Sequence, residues 1–514
     1  MGVAAQRDSF QQECPEQAAA RAINTLQGTH VFRTRSILTA GALVSGQQIL
    51  TQALHLVRHI IVAWVLTPKD FGIAATFWLT TGLLTKATEL GFKQLLIQDP
   101  EGDDDDFGAT IQTMVLVRGL LIASVIFFGA GPLAGLFRAP ETAWAFRLLA
   151  VLPILSGLRH RDMERLQRRL RFRPVVISQL GPEILVTAAA WPVVTYVGNY
   201  SAFVWLSIAG AMLAVPLSHL MAERPLRFRF DWTVVRRAFN FGWPLLLNSL
   251  LMFGALQGDR VILSQAYSKA ELGVYSVAIG LVMAPSGMLS SAVSALMLPL
   301  LSAAQNDRVS YRRQYLLFAQ MTAAAGLLLG VLFFILGPAL VTLLYSDKYQ
   351  LAGAVIGWLA ARQAIRLFRI APITAAIASG DTRAAPVANT LGQIGLGLAA
   401  IVAIAHGSLT WIAVAGVAGE IVSMAVSVAW LRWKHALPLG LSMIPGSVLV
   451  GGLLVSAWIG SYCMQPDDPL AAGFVFLLAI AASLALISFA FAELRTLMCS
   501  LIRPVLARTG ITPE

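Results

Sequence analysis

The chain has 514 residues, is 57% hydrophobic and only 13% charged, and has a mean hydropathy of +0.70. Soluble globular proteins carry about 25% charged residues, so this composition excludes a soluble domain. The net charge of +11 comes from arginine clusters flanking apolar blocks, which points to membrane topology and lipid headgroups and away from nucleic acid.

Residues 1–33 are polar and Ala-rich with no apolar core, so no cleavable signal peptide is expected and the first span serves for targeting. About 14 apolar helices follow, at 37–66, 70–96, 108–130, 140–158, 174–197, 200–221, 241–265, 271–301, 314–344, 350–378, 386–405, 409–431, 440–462 and 470–491. The acidic run "DPEGDDDDFG" (99–108) between the second and third reads as a solvated turn capping the next helix, with a cation site as the alternative. Cys14, Cys463 and Cys499 are far apart and form no metal or redox spacing, and no phosphate-binding loop is present, so no cofactor or metal is expected.

Placing the N-terminus in the cytoplasm puts 25 Lys and Arg on the inner side, seven of them in "RHRDMERLQRRLRFRP" (159–174), and leaves only Lys69, Arg138, Lys269 and Lys348 outside. That bias sets both termini inside. The outer loops are short, so any chemistry lies within the bundle or at its mouths.

"VRHIIVAWVLTPKDFGIAATF" (57–77) and "GDRVILSQAYSKAELGVYSVA" (258–278) align at an offset of 201 residues. Gly72 then matches Gly273, Asp70 matches Glu271, His59 falls on Arg260 and Arg58 on Asp259. Each stretch opens a group of six helices, which predicts two parallel repeats. The expected divisions are a tail (1–35), an N-lobe (36–222), a basic linker (223–240), a C-lobe (241–432), two further helices (433–492) and a C-terminal tail (493–514).

"LTPKDFGIAATF", "LQRRLRFRP" and "DRVILSQAYSKAELGVYSVA" together resemble the polysaccharide transporter family, the Wzx-like oligosaccharide flippases of the superfamily that holds MurJ and the MATE exporters. The resemblance covers roughly residues 36–432. It implies an all-α polytopic membrane protein with two six-helix lobes in a MATE/MurJ-like arrangement plus two C-terminal helices. It also implies alternating access in a bacterial inner membrane, and a polyprenyl-pyrophosphate-linked oligosaccharide as cargo. Membrane lipids, a polysaccharide polymerase and export machinery are the further expected partners, and a monomer is expected.

Charges at membrane depth are costly, about 2.5–3.5 kcal/mol for an Arg at a helix centre, and normally face a bundle interior or a wet cavity. A pyrophosphate cargo suits cations, because Arg pairs bidentately with phosphate oxygens. Arg58, Lys86 and Arg260 are therefore candidate substrate-binding groups in a cationic cavity, with snorkelling as the alternative for Arg58 and Arg260. Lys86, Glu89 and Lys93 form an expected charge ladder on the second helix. Asp259 is a candidate gate partner for Arg58. Glu183, after Pro182 and a suspected helix break, and Glu420 are either coupling groups or partners of an Arg in their own lobe. Arg362, Arg366 and Arg369 fall within about 60° of one helix face and are also assigned to the cationic site, buried or facing the inner mouth. The alternative is a structural stripe neutralised by neighbouring helices. The competing functions are a MATE-type exporter, disfavoured because 37–66 holds no acid, and a membrane polymerase or ligase, disfavoured by the short outer loops.

Overall fold

A computed structural model describes residues 43–44, 46–463 and 469–496. The expected N-terminal tail, the start of the first span and the end of the C-terminal tail lie outside the described residues. The first repeat contains α1 (Gly46–Val65), α2 (Pro68–Lys86), α3 (Phe92–Gln98), α4 (Asp105–Phe128), α5 (Ala130–Leu136), α6 (Ala143–Leu149), α7 (Val151–Leu158), α8 (Asp162–Arg168), α9 (Phe172–Val197) and α10 (Ser201–Leu220). The second contains α11 (Trp232–Ala266), α12 (Lys269–Ala303), α13 (Arg308–Ile335), α14 (Gly337–Tyr345), α15 (Gly353–Ala378), α16 (Ala384–Gly392), α17 (Ile394–Ile404) and α18 (Leu409–His435), followed by α19 (Gly440–Cys463) and α20 (Pro469–Ala490).

Among the described residues 13 helical segments are long and apolar enough to cross a membrane. α2 makes the fourteenth element of the expected series, its apolar stretch interrupted by Lys69, Asp70 and Lys86. The expected second helix ends ten residues early. After Lys86 the chain turns through Gly91, at φ +65°, and α3 starts afresh, its Phe92, Leu95 and Leu96 packing on Phe107, Ile111 and Val234. α11 and α12 have 35 residues each, about 52 Å of helix, and so project past an apolar layer about 30 Å thick. Pro182 does not break α9, which runs unbroken from Phe172 to Val197.

The aligned stretches of the two repeats meet at the outer end of the bundle. Thr67 caps α2 and accepts the Asp70 N–H at 3.2 Å, while Ser268 caps α12 in a reciprocal capping box with Glu271. Just inside these matched caps, a Cβ on Gly72 would strike the Lys269 carbonyl, and one on Gly273 would strike that of Pro68. Only glycine allows backbones this close. α2 and α12 are thereby held in direct contact, with α1 against α12 through Gly280 and Gly287. α15 lies at the centre of the second repeat between α12, α13 and α18, and α19 and α20 pack on α13.

Candidate functional site

α1 carries polar residues at helical spacing: Gln47, Gln48, Thr51, Gln52, His55, Arg58 and His59. With Ser156 and Arg159 at the end of α7, Ser178, Gln179 and Glu183 of α9, and Gly210, Ala211 and Ala214 of α10, the first five of these α1 residues line a cavity of about 450 Å³. That is within the 300–1,000 Å³ range of small-molecule sites. Gln47 Nε2 donates to Gln179 Oε1 at 2.5 Å. Glu183 accepts from Arg58 at 2.9 Å and lies 3.1 Å from His55 Nε2. Pro182 has no N–H, so it leaves the Ser178 carbonyl without its helical donor among these lining residues. Gln47, Gln48, Ser156, Arg159 and Ser178 lie toward the inner ends of their helices, and His55, Glu183 and Gly210 near the middle. The α1 amides and Arg159 were not among the candidates read from the sequence, which weighed only full charges within spans. The signal was the Gln/Thr/His recurrence every three or four residues.

The six candidate cations do not converge on one cavity. Lys86 and Glu89 pair at 2.9 Å, but across the end of α2, and Lys93 stands on α3, so the expected three-residue ladder on one helix is absent. Arg58 does not meet Asp259: each pairs inside its own half. Arg260 is buried and stacks over Trp78 of α2, 5.2 Å from the ring centroid.

The α15 stripe is enclosed by α11 and α18 and does not reach an inner mouth. Arg362 donates to Asp259 at 2.6 Å and also to the Ala255 carbonyl. Asp259 further accepts from Tyr275 Oη at 2.6 Å. Arg366 donates to Glu420 and, at 3.1 Å, to Ala255. Arg369 donates to Asn389 and Ser423, both at 2.6 Å, with Nε 3.5 Å from Glu420. Arg362, Arg369 and Glu420 are only 6%, 5% and 5% exposed. The adjoining cavity is about 30 Å³, room for one water. Glycines make space for this network: a Cβ on Gly416 would sit 3.1 Å from Arg362 Cδ, and one on Gly395 2.8 Å from Gly419 Cα.

At the outer end the second half closes over α1. Lys348 Nζ donates to the Trp64 and Leu66 carbonyls at 2.5 and 3.1 Å, Tyr349 Oη donates to Leu66 at 3.2 Å, and Tyr345 Oη lies 3.1 Å from His59 Nδ1. These contacts occupy carbonyls that the C-terminus of a helix leaves free.

At the inner end the acidic run is both cap and clasp. Asp104 caps α4, accepting from Phe107 N at 2.8 Å. Its neighbours bind inner-loop arginines: Asp103 pairs with Arg168 and Arg169, Asp105 with Arg224 and Arg227, Asp106 with Arg229, and Asp99 and Glu101 with Arg237. In the α8 loop, Asp162 bonds Arg165 and the Glu223 N–H. Burial pushes its carboxyl up, but the Arg165 hydrogen bond and charge with the Glu223 N–H hold it below the usual range.

Residues 61–353 match the family described as "Polysaccharide biosynthesis protein". The succinoglycan biosynthesis transport protein ExoT of Rhizobium meliloti is 24% identical over 318 residues, 61% of this chain and 64% of that protein, so the match spans just under two thirds of the relative's length. The teichuronic acid biosynthesis protein TuaB of Bacillus subtilis is 19% identical over 345 residues, 64% and 68% of the two chains. The fold resembles the inward closed conformation of the lipid II flippase MurJ, with a TM-score of 0.69 at 15% identity over 90% of this chain and all of that one. It also resembles an inward-facing MATE family transporter of the MOP superfamily, with a TM-score of 0.59 at 16% identity, covering 81% and 96%. The chain belongs to the polysaccharide biosynthesis protein family, and is an all-α, multi-pass protein of the bacterial inner membrane.

Proposed function

We propose that the protein is a flippase that carries a polyprenyl-pyrophosphate-linked oligosaccharide from the inner to the outer leaflet, as a transporter and not as an enzyme. The observation that carries this reading is the 450 Å³ cavity in the inner part of the first repeat. Its amide, hydroxyl, imidazole and carboxylate groups offer both donors and acceptors, which is what a sugar needs when it leaves water. At the outer end, Gly72, Gly273, Lys348 and Tyr349 hold the two halves together. A cavity between the middle and the inner ends of these helices, with the outer end sealed, fits the loading state of an alternating-access cycle. Rocking of the halves would part the α2–α12 contact and turn the cavity outward. The polyprenyl tail stays in lipid throughout. An exporter of cationic small molecules fits less well, because Glu183, the carboxylate such cargo would seek, is already held by Arg58.

The test is reconstitution of the full chain in liposomes with a fluorescent polyprenyl-diphosphate oligosaccharide, reading the labelled lipid accessible to an external quencher over time. Faster equilibration than in protein-free liposomes is expected, and slowed by Gln179→Ala with Gln52→Ala. Equilibration at the protein-free rate would overturn the reading.

A further inference from the structure

Arg159 is set apart from the other arginines of the inner loops. Arg161, Arg165, Arg168, Arg169, Arg171, Arg224, Arg227, Arg229 and Arg237 all pair with acids. Arg173 and Arg236 make no ion pair among the described residues, but both are exposed to solvent. Arg159 alone of this set is half-buried, makes no ion pair or side-chain hydrogen bond among the described residues, and lines the large cavity.

Its backbone, by contrast, is pinned. The buried Gln112 of α4 donates through Nε2 to the Gly157 and Arg159 carbonyls at 2.8 and 3.2 Å, and its Oε1 accepts the Arg161 N–H at 3.1 Å. From α10, Ser218 Oγ accepts the His160 N–H at 3.0 Å, and His219 Nε2 lies 3.0 Å from the Leu158 carbonyl. Two neighbouring helices therefore fix where the Arg159 side chain begins, while its guanidinium keeps all five donors free. A group positioned in advance and left unpaired loses little ordering entropy when it binds.

The cavity's charge has a matching sign. Of its lining residues only Glu183 is acidic, and Arg58 already compensates it, so Arg159 is an unbalanced positive charge. It follows directly on the span Pro140–Leu158, at the depth where a membrane lipid presents its polar group. We propose that Arg159 anchors the diphosphate of an isoprenoid-linked substrate at the inner boundary, bonding its oxygens in a bidentate fork, while the attached sugar extends along Gln52, His55 and Gln179. The identity of the lipid rests on the flippase reading; the anchoring role of Arg159 is tested separately by direct binding.

The experiment titrates farnesyl diphosphate, farnesol and inorganic pyrophosphate into the purified full chain in phosphatidylcholine nanodiscs, following intrinsic tryptophan fluorescence. It compares the parent with Arg159→Gln, Arg159→Lys and Arg173→Gln, each first shown to melt at the parental temperature. Farnesyl diphosphate affinity is expected to fall about tenfold or more in Arg159→Gln, less in Arg159→Lys, which keeps charge but loses the fork, and not at all in Arg173→Gln. Equal binding by the parent and Arg159→Gln overturns the anchor and leaves the flippase reading standing. No farnesyl diphosphate binding by the parent overturns both. Repeating the titration in nanodiscs containing phosphatidylglycerol separates a general headgroup contact: loss of the farnesyl diphosphate signal there overturns the proposal, and its persistence supports it.

Discussion

At repeat-equivalent positions, Arg58 of α1 pairs with Glu183 of α9 beside an open cavity, whereas Asp259 of α11 pairs with Arg362 of α15 in a closed interior. The charges are reversed in sign, and so is their access to water: the side chain of Glu183 is 31% exposed and that of Asp259 4%. The first half lines about 450 Å³ with amides, imidazole and an unpaired arginine; the second packs three arginines against two carboxylates around about 30 Å³. The two halves thus share matched helix caps and a mutual glycine contact at the outer end, and differ in their interiors. Removing one partner of a dry ion pair strands a charge, while a wet pair is screened and exchangeable. Under the proposed function, the first half handles substrate and the second supplies rigidity.

The largest effect expected is in the second half. Arg362→Met leaves Asp259 buried without its counterion and should cost about 3–5 kcal/mol, read as a drop in detergent melting temperature and expression. Adding Asp259→Asn should recover most of the loss, because the charge is gone and an acceptor remains for Tyr275. A single variant as stable as the parent would erase the contrast between the halves.

Next is the contact that joins them. Gly273→Val forces the α2–α12 backbones apart, so a cysteine introduced by Leu66→Cys should pass from unreactive to labelled by an impermeant maleimide added outside. Unchanged protection would mean that the outer seal does not depend on the glycine pair.

In the first half the order of effects inverts. Arg58→Ala should cost about 1 kcal/mol or less in stability, since the pair is partly exposed. It should still reduce transport about tenfold or more, with lipid-linked oligosaccharide accumulating in the inner leaflet. Adding Arg260→Ala should chiefly lower stability, because Arg260 is buried against Trp78. Equal stability losses for Arg58→Ala and Arg362→Met would refute the wet-versus-dry distinction.

The smallest effect concerns the inner clasp. The Asp162 carboxyl is held below its ordinary value by Arg165 and the Glu223 N–H, so its stabilising contribution is present above the unfolded carboxylate pKa, about 3.9, and disappears as pH falls through the lower folded value. Asp162→Asn should flatten the acid limb of a melting-temperature profile there and leave the neutral region shifted by a constant amount.

Much of this fold was legible in the sequence, because the signals are local. Runs of about 20 apolar residues mark spans, arginine bias orients them, and Thr67 with Asp70 or Ser268 with Glu271 caps a helix from three residues away. Matching Gly72 to Gly273 also marked the positions that prove to touch. The polar stripe of α1 was equally open to reading, but it carries one full charge among amides and imidazoles, and a search for charges passes over it. The early end of α2 was obscured because Lys86, Glu89 and Lys93 keep a helical i, i+3, i+7 spacing across the turn at Gly91.

Helix positions, the arginine bias that orients them and the charges at membrane depth are readable along the chain, since each depends on neighbours within a few residues. Which charges are neutralised and which stay unpaired depends instead on the packing of distant helices. Glu183 lies 125 residues from Arg58, and Arg362 lies 103 from Asp259. Helical spacing places a side chain on a face, but the rotation and crossing of whole helices choose the residue opposite it.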